Sequence, residues 1–249
     1  STTSDLLTNQ SLNVLTGLTN NWANGGELKN EGYDAAFNVK VLALKNWKWQ
    51  IGASVGHYKN EITELPVVNK KKEIMTDVYG ATILTKIGEA ANVFYGYETQ
   101  GVFATTEEAE AAGLYMLDDN GKTKHFFGAG DVRFVNQNPD DGGLIDENDR
   151  VVIGNPNPDF YGNISSSLTW KHLTLDATFN YSVGNDVYNY MRSQLEGGNR
   201  FMNQSVAMVN RWQWEGQETN MPRATFQDPM NNSRFSDRWI EDGSYLRLK

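Results

Sequence analysis

The sequence predicts an all-β chain that forms part of a transmembrane antiparallel β-barrel with long loops on one side. Three observations carry that expectation. Two pairs of long alternating segments are each joined by a very short turn, the chain between and after the pairs is long and irregular, and aromatic residues gather at both ends of the alternating runs. Mean hydropathy is -0.57 and hydrophobic residues make up 39 % of the chain. Alternating strands keep mean hydropathy low even in a membrane. No apolar run approaches the roughly 18 residues of a membrane helix, so a helical membrane protein is excluded.

Residues 1–26 are polar and rich in Thr, Asn and Gly, with a short apolar run from Leu12 to Leu18, and read as an exposed outer loop. Residues 27–62 hold the first hairpin. Tyr33, Ala35, Phe37, Val39, Val41 and Ala43 alternate with Asp34, Ala36, Asn38 and Lys40. After Lys45-Asn46 the period resumes, with Trp47, Trp49, Ile51, Ala53 and Val55 against Lys48, Gln50, Gly52, Ser54 and Gly56. Period two over such lengths means strands, and these exceed the usual five or six or so residues.

Between Thr63 and Pro158 the pattern fades, and residues 63–158 read as a long extracellular loop. It contains one basic cluster (Lys70, Lys71, Lys72) and one helix candidate, in which Thr106 caps Glu107 to Ala112 and Gly113 stops it. Residues 159–183 form the second hairpin. Phe160, Gly162, Ile164, Ser166, Leu168 and Trp170 alternate with Tyr161, Asn163, Ser165, Ser167 and Thr169. Lys171-His172 turns the chain, and Leu173, Leu175, Ala177, Phe179, Tyr181 and Val183 alternate with Thr174, Asp176, Thr178, Asn180 and Ser182. Residues 184–241 read as a second outer loop with a helical piece around Val206, Met208, Val209, Arg211 and Trp212. Residues 242–249 start a further strand.

In hydrocarbon every backbone amide must be paired, so β-structure crosses a bilayer only as a closed barrel, with lipid-facing and lumen-facing residues alternating. On that basis Asn38, Lys40, Gln50, Asn163, Thr178 and Asn180 are lumen-facing. The competing reading is a secreted soluble β-sandwich that binds carbohydrate, with Ca²⁺ as a candidate ligand; it buries Trp47, Trp49, Phe179 and Tyr181 in a core.

A net charge of -9 argues against a nucleic-acid partner. Cysteine is absent, which removes disulfides and thiolate metal sites. Ser1-Thr2-Thr3-Ser4 has neither the basic nor the apolar part of a signal peptide, so the chain is expected to be cut from a longer protein. His57, His125 and His172 stand in no HExxH pattern, and neither G-x-S-x-G nor a P-loop occurs; the chain is expected not to be an enzyme.

Several motifs resemble the SusC/RagA family of TonB-dependent outer-membrane transporters of Bacteroidetes. Ile153-Gly154-Asn155-Pro156-Asn157-Pro158-Asp159-Phe160 before a strand is similar to a family signature. Asn30-Glu31-Gly32-Tyr33-Asp34 resembles its N-K-G-x-E segment, with Glu31 in place of Lys. Phe94-Tyr95-Gly96-Tyr97 with Gly101-Val102-Phe103, Gly130-Asp131-Val132-Arg133-Phe134, and Ser236-Asp237-Arg238 with Gly243 to Leu248 follow in family order. The resemblance implies the C-terminal portion of a roughly 22-stranded barrel, without its plug domain. It also implies TonB-driven import of oligosaccharides or peptides beneath a SusD-like surface lipoprotein.

The family often carries an EF-hand-like acidic string before the signature. Here Asn136 to Asp149 has Asn at the first position and two extra residues before Ile145; Asn138, Asp140, Asp146 and Asp149 are the Ca²⁺ candidates, against a solvated acidic turn. Tyr95, Tyr97, Trp212 and Trp214 are candidates for substrate or lid contact, against a role in anchoring the loops.

Overall fold

Alternation in the sequence becomes one broad antiparallel sheet. The computed structural model describes residues 1–11, 20–66, 73–118 and 120–249. The chain opens with three long strands, β1 (Thr2–Ser11), β2 (Asn20–Ala43) and β3 (Trp47–Glu64). Short elements follow: β4 (Glu73–Val78), β5 (Ala81–Lys86), β6 (Val93–Tyr97), β7 (Thr99–Val102) and helix α1 (Thr106–Ala112). Then come β8 (Tyr115–Leu117), β9 (Lys124–Phe126), β10 (Val132–Phe134) and β11 (Arg150–Gly154). The second long hairpin is β12 (Phe160–Trp170) and β13 (Leu173–Val183). Beyond it lie β14 (Asp186–Tyr188), α2 (Tyr190–Glu196), β15 (Ile240–Asp242) and β16 (Tyr245–Leu248).

The large sheet has the order β1-β2-β3-β12-β13-β16, every pair antiparallel. Among the described residues its two outer strands, β1 and β16, are each paired on one side only, so the sheet is an open wall segment and not a closed barrel. The two hairpins are joined edge to edge by an unbroken register, from Tyr161 opposite Gly56 to Trp170 opposite Trp47. Both hairpins close as the sequence predicts, the first through Lys45-Asn46 with Leu44 and Trp47 exchanging backbone hydrogen bonds. In the second, Lys171 takes a left-handed conformation (φ 54°) that lets Trp170 face Leu173.

Some of these expectations need correction. Residues 1–26 are not a plain loop: Thr2–Ser11 is a strand, paired with β2 from Thr2/Lys29 to Ser11/Asn20. Its Thr-rich, weakly apolar sequence hides that, because its cross-strand pairing supplies the order that hydrophobicity does not. The Leu12–Leu18 run and the Lys70 to Lys72 cluster lie outside the described residues. Strict alternation also fails once. A register shift between Lys40 and Leu42 sets Leu42 opposite Trp49 and Ala43 opposite Lys48. The bulge carries the larger apolar side chain, Leu42, onto the face of Phe37 and Val39, and sends Ala43 to the polar face.

The segments read as long loops are also more ordered than their sequence suggests. Strands β4, β5, β6 and β11 form a four-stranded sheet, and β7/β10, β8/β9 and β14/β15 are small pairs. Helix α1 starts one residue earlier than expected: Thr105 is its cap, accepting from the Glu108 amide, while Glu108 reaches back to the Ala104 amide. Gly113 ends it in the left-handed conformation. Around Val206 the chain makes only a 3-10 turn, Val206–Asn210, which leaves Arg211 and Trp212 outside. A compact core of Phe103, Ala109, Leu114, Phe127, Val132, Phe134, Ile145 and Met230 organises this loop mass.

Candidate functional site

The wall has two chemically opposite faces. On one, the pairing sets Phe37, Ala53, Ile164, Phe179 and Leu248 side by side across five strands. The next rungs are Val39, Ile51, Ser166 and Ala177, then Leu42, Trp49, Leu168 and Leu175. This face stays open: Phe37 is 58 % exposed, Ile164 46 % and Leu175 66 %. Its few polar atoms are satisfied within it, as where the Trp49 indole donates to Ser166 Oγ at 3.0 Å.

The other face is polar, and all six lumen-facing candidates share it. Asn38, Gly52, Ser165 and Thr178 form one rung; Lys40, Gln50, Ser167 and Asp176 form the next; Asn163 and Asn180 lie beside Ser54 and Arg247. Glycine matters at Gly52, where a Cβ would strike Asn38 Oδ1 and Ser165 Oγ. Its absence lets two polar side chains converge over the backbone.

Aromatic rings mark the two ends of the apolar face. Beside the short turns Trp47 and Trp170 lie 5.7 Å apart. At the far end Tyr33, His57 and Phe160 form a chain of rings at 5.3 and 5.4 Å. Both strands that carry these rows do so at the same spacing, since Trp47 and His57, like Phe160 and Trp170, are ten positions apart.

Sequence reasoning missed a ledge at the far end of the polar face. Tyr161 lies across Gly56, with its hydroxyl 3.4 Å from Asp34 Oδ1 and its ring 6.0 Å from that of Tyr58. Asp34, Gly56 and Tyr161, with Asn163, Asn180 and Tyr245, line a cavity of about 500 Å³. The signal was Gly56 placed between Asp34 and Tyr161 as cross-strand neighbours, a pattern visible only once the register is known.

The four loop aromatics are not brought together as one surface. Tyr97 packs against Phe134 and beneath the Arg234 guanidinium, and burial raises its phenol pKa despite the nearby Arg234 and Arg150 charges. Trp212 donates to the Ala104 carbonyl at 3.0 Å and covers Gly130, where any Cβ would meet its ring. Tyr95 lies under Arg150, while Trp214 is exposed. Anchoring thus accounts for the contacts of Tyr97 and Trp212, and Trp214 is the one of the four that presents a bare ring.

The acidic loop is closed by its own backbone. Asp149, fully buried, accepts from the Gln137 and Asp146 amides at 2.8 Å each, and Asp146 accepts from the Asn148 amide at 2.7 Å. Asp140 is exposed, and Asn138 precedes the 3-10 turn Pro139–Asp141. Among the described residues no three His, Asp or Glu side chains are gathered as a metal site.

Buried acids elsewhere in the loop mass work the same way. Asp131, fully buried, is held by a two-point ion pair from Arg223 (2.9 Å each), by Asn232 and by the Gly128 amide (2.8 Å each). Asp228 ties the Asn232 and Ser233 amides. Arg238 is different: burial pushes its guanidinium down to about 10, and Nη1 has no hydrogen-bond partner.

No family model matches the chain. It is 29 % identical over 253 residues to TonB-dependent receptor P3 of Formosa agariphila, and 28 % identical over 249 residues to TonB-dependent receptor P26 of the same organism. Each comparison covers 99 % of this chain but only 23 % and 24 % of the relative, so the chain spans about a quarter of the length of the curated relatives it matches. Among solved structures it is similar to the RagAB peptide importer in its closed-closed state. There the TM-score is 0.72 and identity 25 %, over 100 % of this chain and 25 % of that one. A second structure, of the RagAB peptide transporter, gives a TM-score of 0.68 at 25 % identity, again covering 100 % of this chain and 25 % of the other. These findings bear out the resemblance to TonB-dependent transporters read from the motifs.

Proposed function

We propose that this chain is a wall segment, with its outer loop mass, of a TonB-dependent nutrient importer of the bacterial outer membrane. The observation that carries the reading is the two-faced sheet with aromatic rows ten residues apart on its apolar side. Ten residues at about 3.3 Å rise span ~33 Å along a strand. A tilt of roughly 40° brings this to ~25 Å along the membrane normal, the height of an outer-membrane apolar band. Phe37, Ile164 and Phe179 then meet lipid, Asn38, Lys40, Gln50, Asn163, Thr178 and Asn180 face the lumen, and the two-residue turns lie on the periplasmic side.

In this reading the wall is completed by further strands to a barrel of roughly 22. The substrate is an oligosaccharide or a peptide, and TonB supplies energy through another part of the whole protein. A SusD-like lipoprotein covers the loop mass. Exposed apolar residues there favour such a contact: the Phe201 and Phe226 rings lie 4.8 Å apart, and Val206 and Val209 are bare as well. Passage through a gated lumen needs no nucleophile, which agrees with a chain whose buried acids bind backbone amides. The sandwich reading expects Trp47 and Phe179 inside a core, and both are exposed.

The test is to extract the native polypeptide from source membranes and run it with and without boiling. A chain that needs detergent and changes mobility on heating is expected. A protein of 28.0 kDa that stays in the aqueous phase would overturn the reading.

A further inference from the structure

The two tight turns of the wall form one basic rim. The Lys171 amide donates to the Asn46 carbonyl at 2.9 Å, which holds Lys45-Asn46 and Lys171-His172 side by side. Both lysine side chains are exposed, and among the described residues neither has a carboxylate partner. The sequence arranges this. Although the chain carries a net charge of -9, it has no Asp or Glu between Asp34 and Glu61, nor between Asp159 and Asp176. The rim is therefore opposite in sign to the molecule as a whole.

Next to the lysines stands the tryptophan pair, with Lys171 Nζ 5.1 Å from the Trp170 ring centroid. Leu44 and Leu173 flank it, 60 % and 66 % exposed, and lead onto the open apolar face. Charge, indole and hydrocarbon thus follow one another along the strand direction, the gradient a bilayer interface presents in reverse.

We propose that this rim docks an anionic phospholipid, its phosphate held by Lys45 and Lys171 and its acyl chains laid along Trp170, Leu173 and Leu175. The continuity of the basic rim with the apolar face selects a lipid over a free anion, since a free phosphate would engage the lysines alone. Cationic residues near an anionic leaflet attract its headgroups by a term comparable to the indole contacts. The inference rests on the outer-membrane reading, which places the turns at the inner leaflet.

The test uses the full-length protein, purified in detergent, stripped of lipid and offered dioleoyl phosphatidylglycerol or dioleoyl phosphatidylcholine, with retention read by native mass spectrometry. Phosphatidylglycerol should be retained preferentially. The double variant Lys45→Gln/Lys171→Gln should weaken that preference by roughly fivefold for each lysine, with phosphatidylcholine retention and heat-modifiable mobility unchanged. Lys59→Gln, at the other end of β3, should retain it. A preference that survives the double variant, or none in the parent, overturns the proposal. So does competition by inorganic phosphate at the level expected for a headgroup without chains. A protein that needs no detergent sinks the membrane reading itself; a detergent-dependent, heat-modifiable protein with no preference sinks only the lipid site.

Discussion

In the wall, Phe37, Ile164, Phe179 and Leu248 share a rung and remain open to their surroundings; in the loop mass, Phe103, Phe127, Phe134 and Val132 are closed off from solvent. The polar groups are distributed in the opposite sense. Wall polar residues line a surface, whereas Asp131, Asp149 and Asp228 are buried and tie down backbone amides. In the proposed reading one composition serves two media. A wall strand in lipid gains nothing from hiding apolar side chains and must pair its backbone along the sheet. A loop mass in water needs a hydrophobic core, and where its chain is irregular it needs side chains to satisfy the amides that no ladder reaches.

The sharpest break of that contrast is at Asp131. Asp131→Ala leaves Arg223, Asn232 and the Gly128 amide without their acceptor. It should cost the loop mass about 3 kcal/mol, the low end for breaking a buried pair because Arg223 is partly exposed. Limited proteolysis should then cut the loops while the wall keeps its heat-modifiable mobility. Loss of both together would show that the two regions are one cooperative unit.

A charge placed on either face of the wall tests the other side of the comparison. Ile164→Lys lies midway between the aromatic rows and should destabilise the inserted protein by about 2–4 kcal/mol. Thr178→Lys, at the same height on the polar face, should change stability little. Equal penalties, read from urea titrations in proteoliposomes, would contradict two media.

Arg238 offers a smaller effect with a definite pH dependence. Its folded pKa, about 10, lies well below the ordinary guanidinium value, because burial disfavours the charged form. The penalty is in full force at every pH below about 10 and is relieved only as pH rises from there toward the ordinary guanidinium range. Arg238→Met should therefore raise loop stability at neutral pH by about 1–3 kcal/mol, and the gain should shrink above pH 10. A destabilised variant at neutral pH would show that Arg238 has a bound partner in the whole protein. The smallest effect concerns calcium. Because the loop from Asn136 to Asp149 is closed by backbone amides, chelator should leave its proteolysis rate unchanged; protection by calcium would restore the EF-hand-like reading of Asn138, Asp140, Asp146 and Asp149.

Much of the wall was legible in the sequence because period two has a single meaning over eleven residues, as in Phe160 to Trp170. The alternation of β2 misled at Ala43, which stands on the polar face, since a bulge leaves no mark in a run of apolar residues. Strand β1 was hidden for a different reason: Thr2–Ser11 gains its order from pairing with β2 and carries little hydrophobic signal of its own. The polar face could be assigned residue by residue from alternation, but the ledge of Tyr161, Gly56 and Asp34 depends on which residues stand opposite one another. The loop aromatics were the least legible. Tyr97 and Trp214 are alike in sequence context, and only the fold puts one against Phe134 and leaves the other bare.

In the proposed barrel wall, neighbouring residues face lipid and water in turn. Single cysteines at Phe179 and Asn180, in full-length protein free of other thiols, can each carry an environment-sensitive fluorophore in proteoliposomes. The Phe179→Cys label should be quenched by brominated lipid and not by iodide, and the Asn180→Cys label the reverse. Two labels quenched alike, whether both by iodide or both by neither, would contradict it.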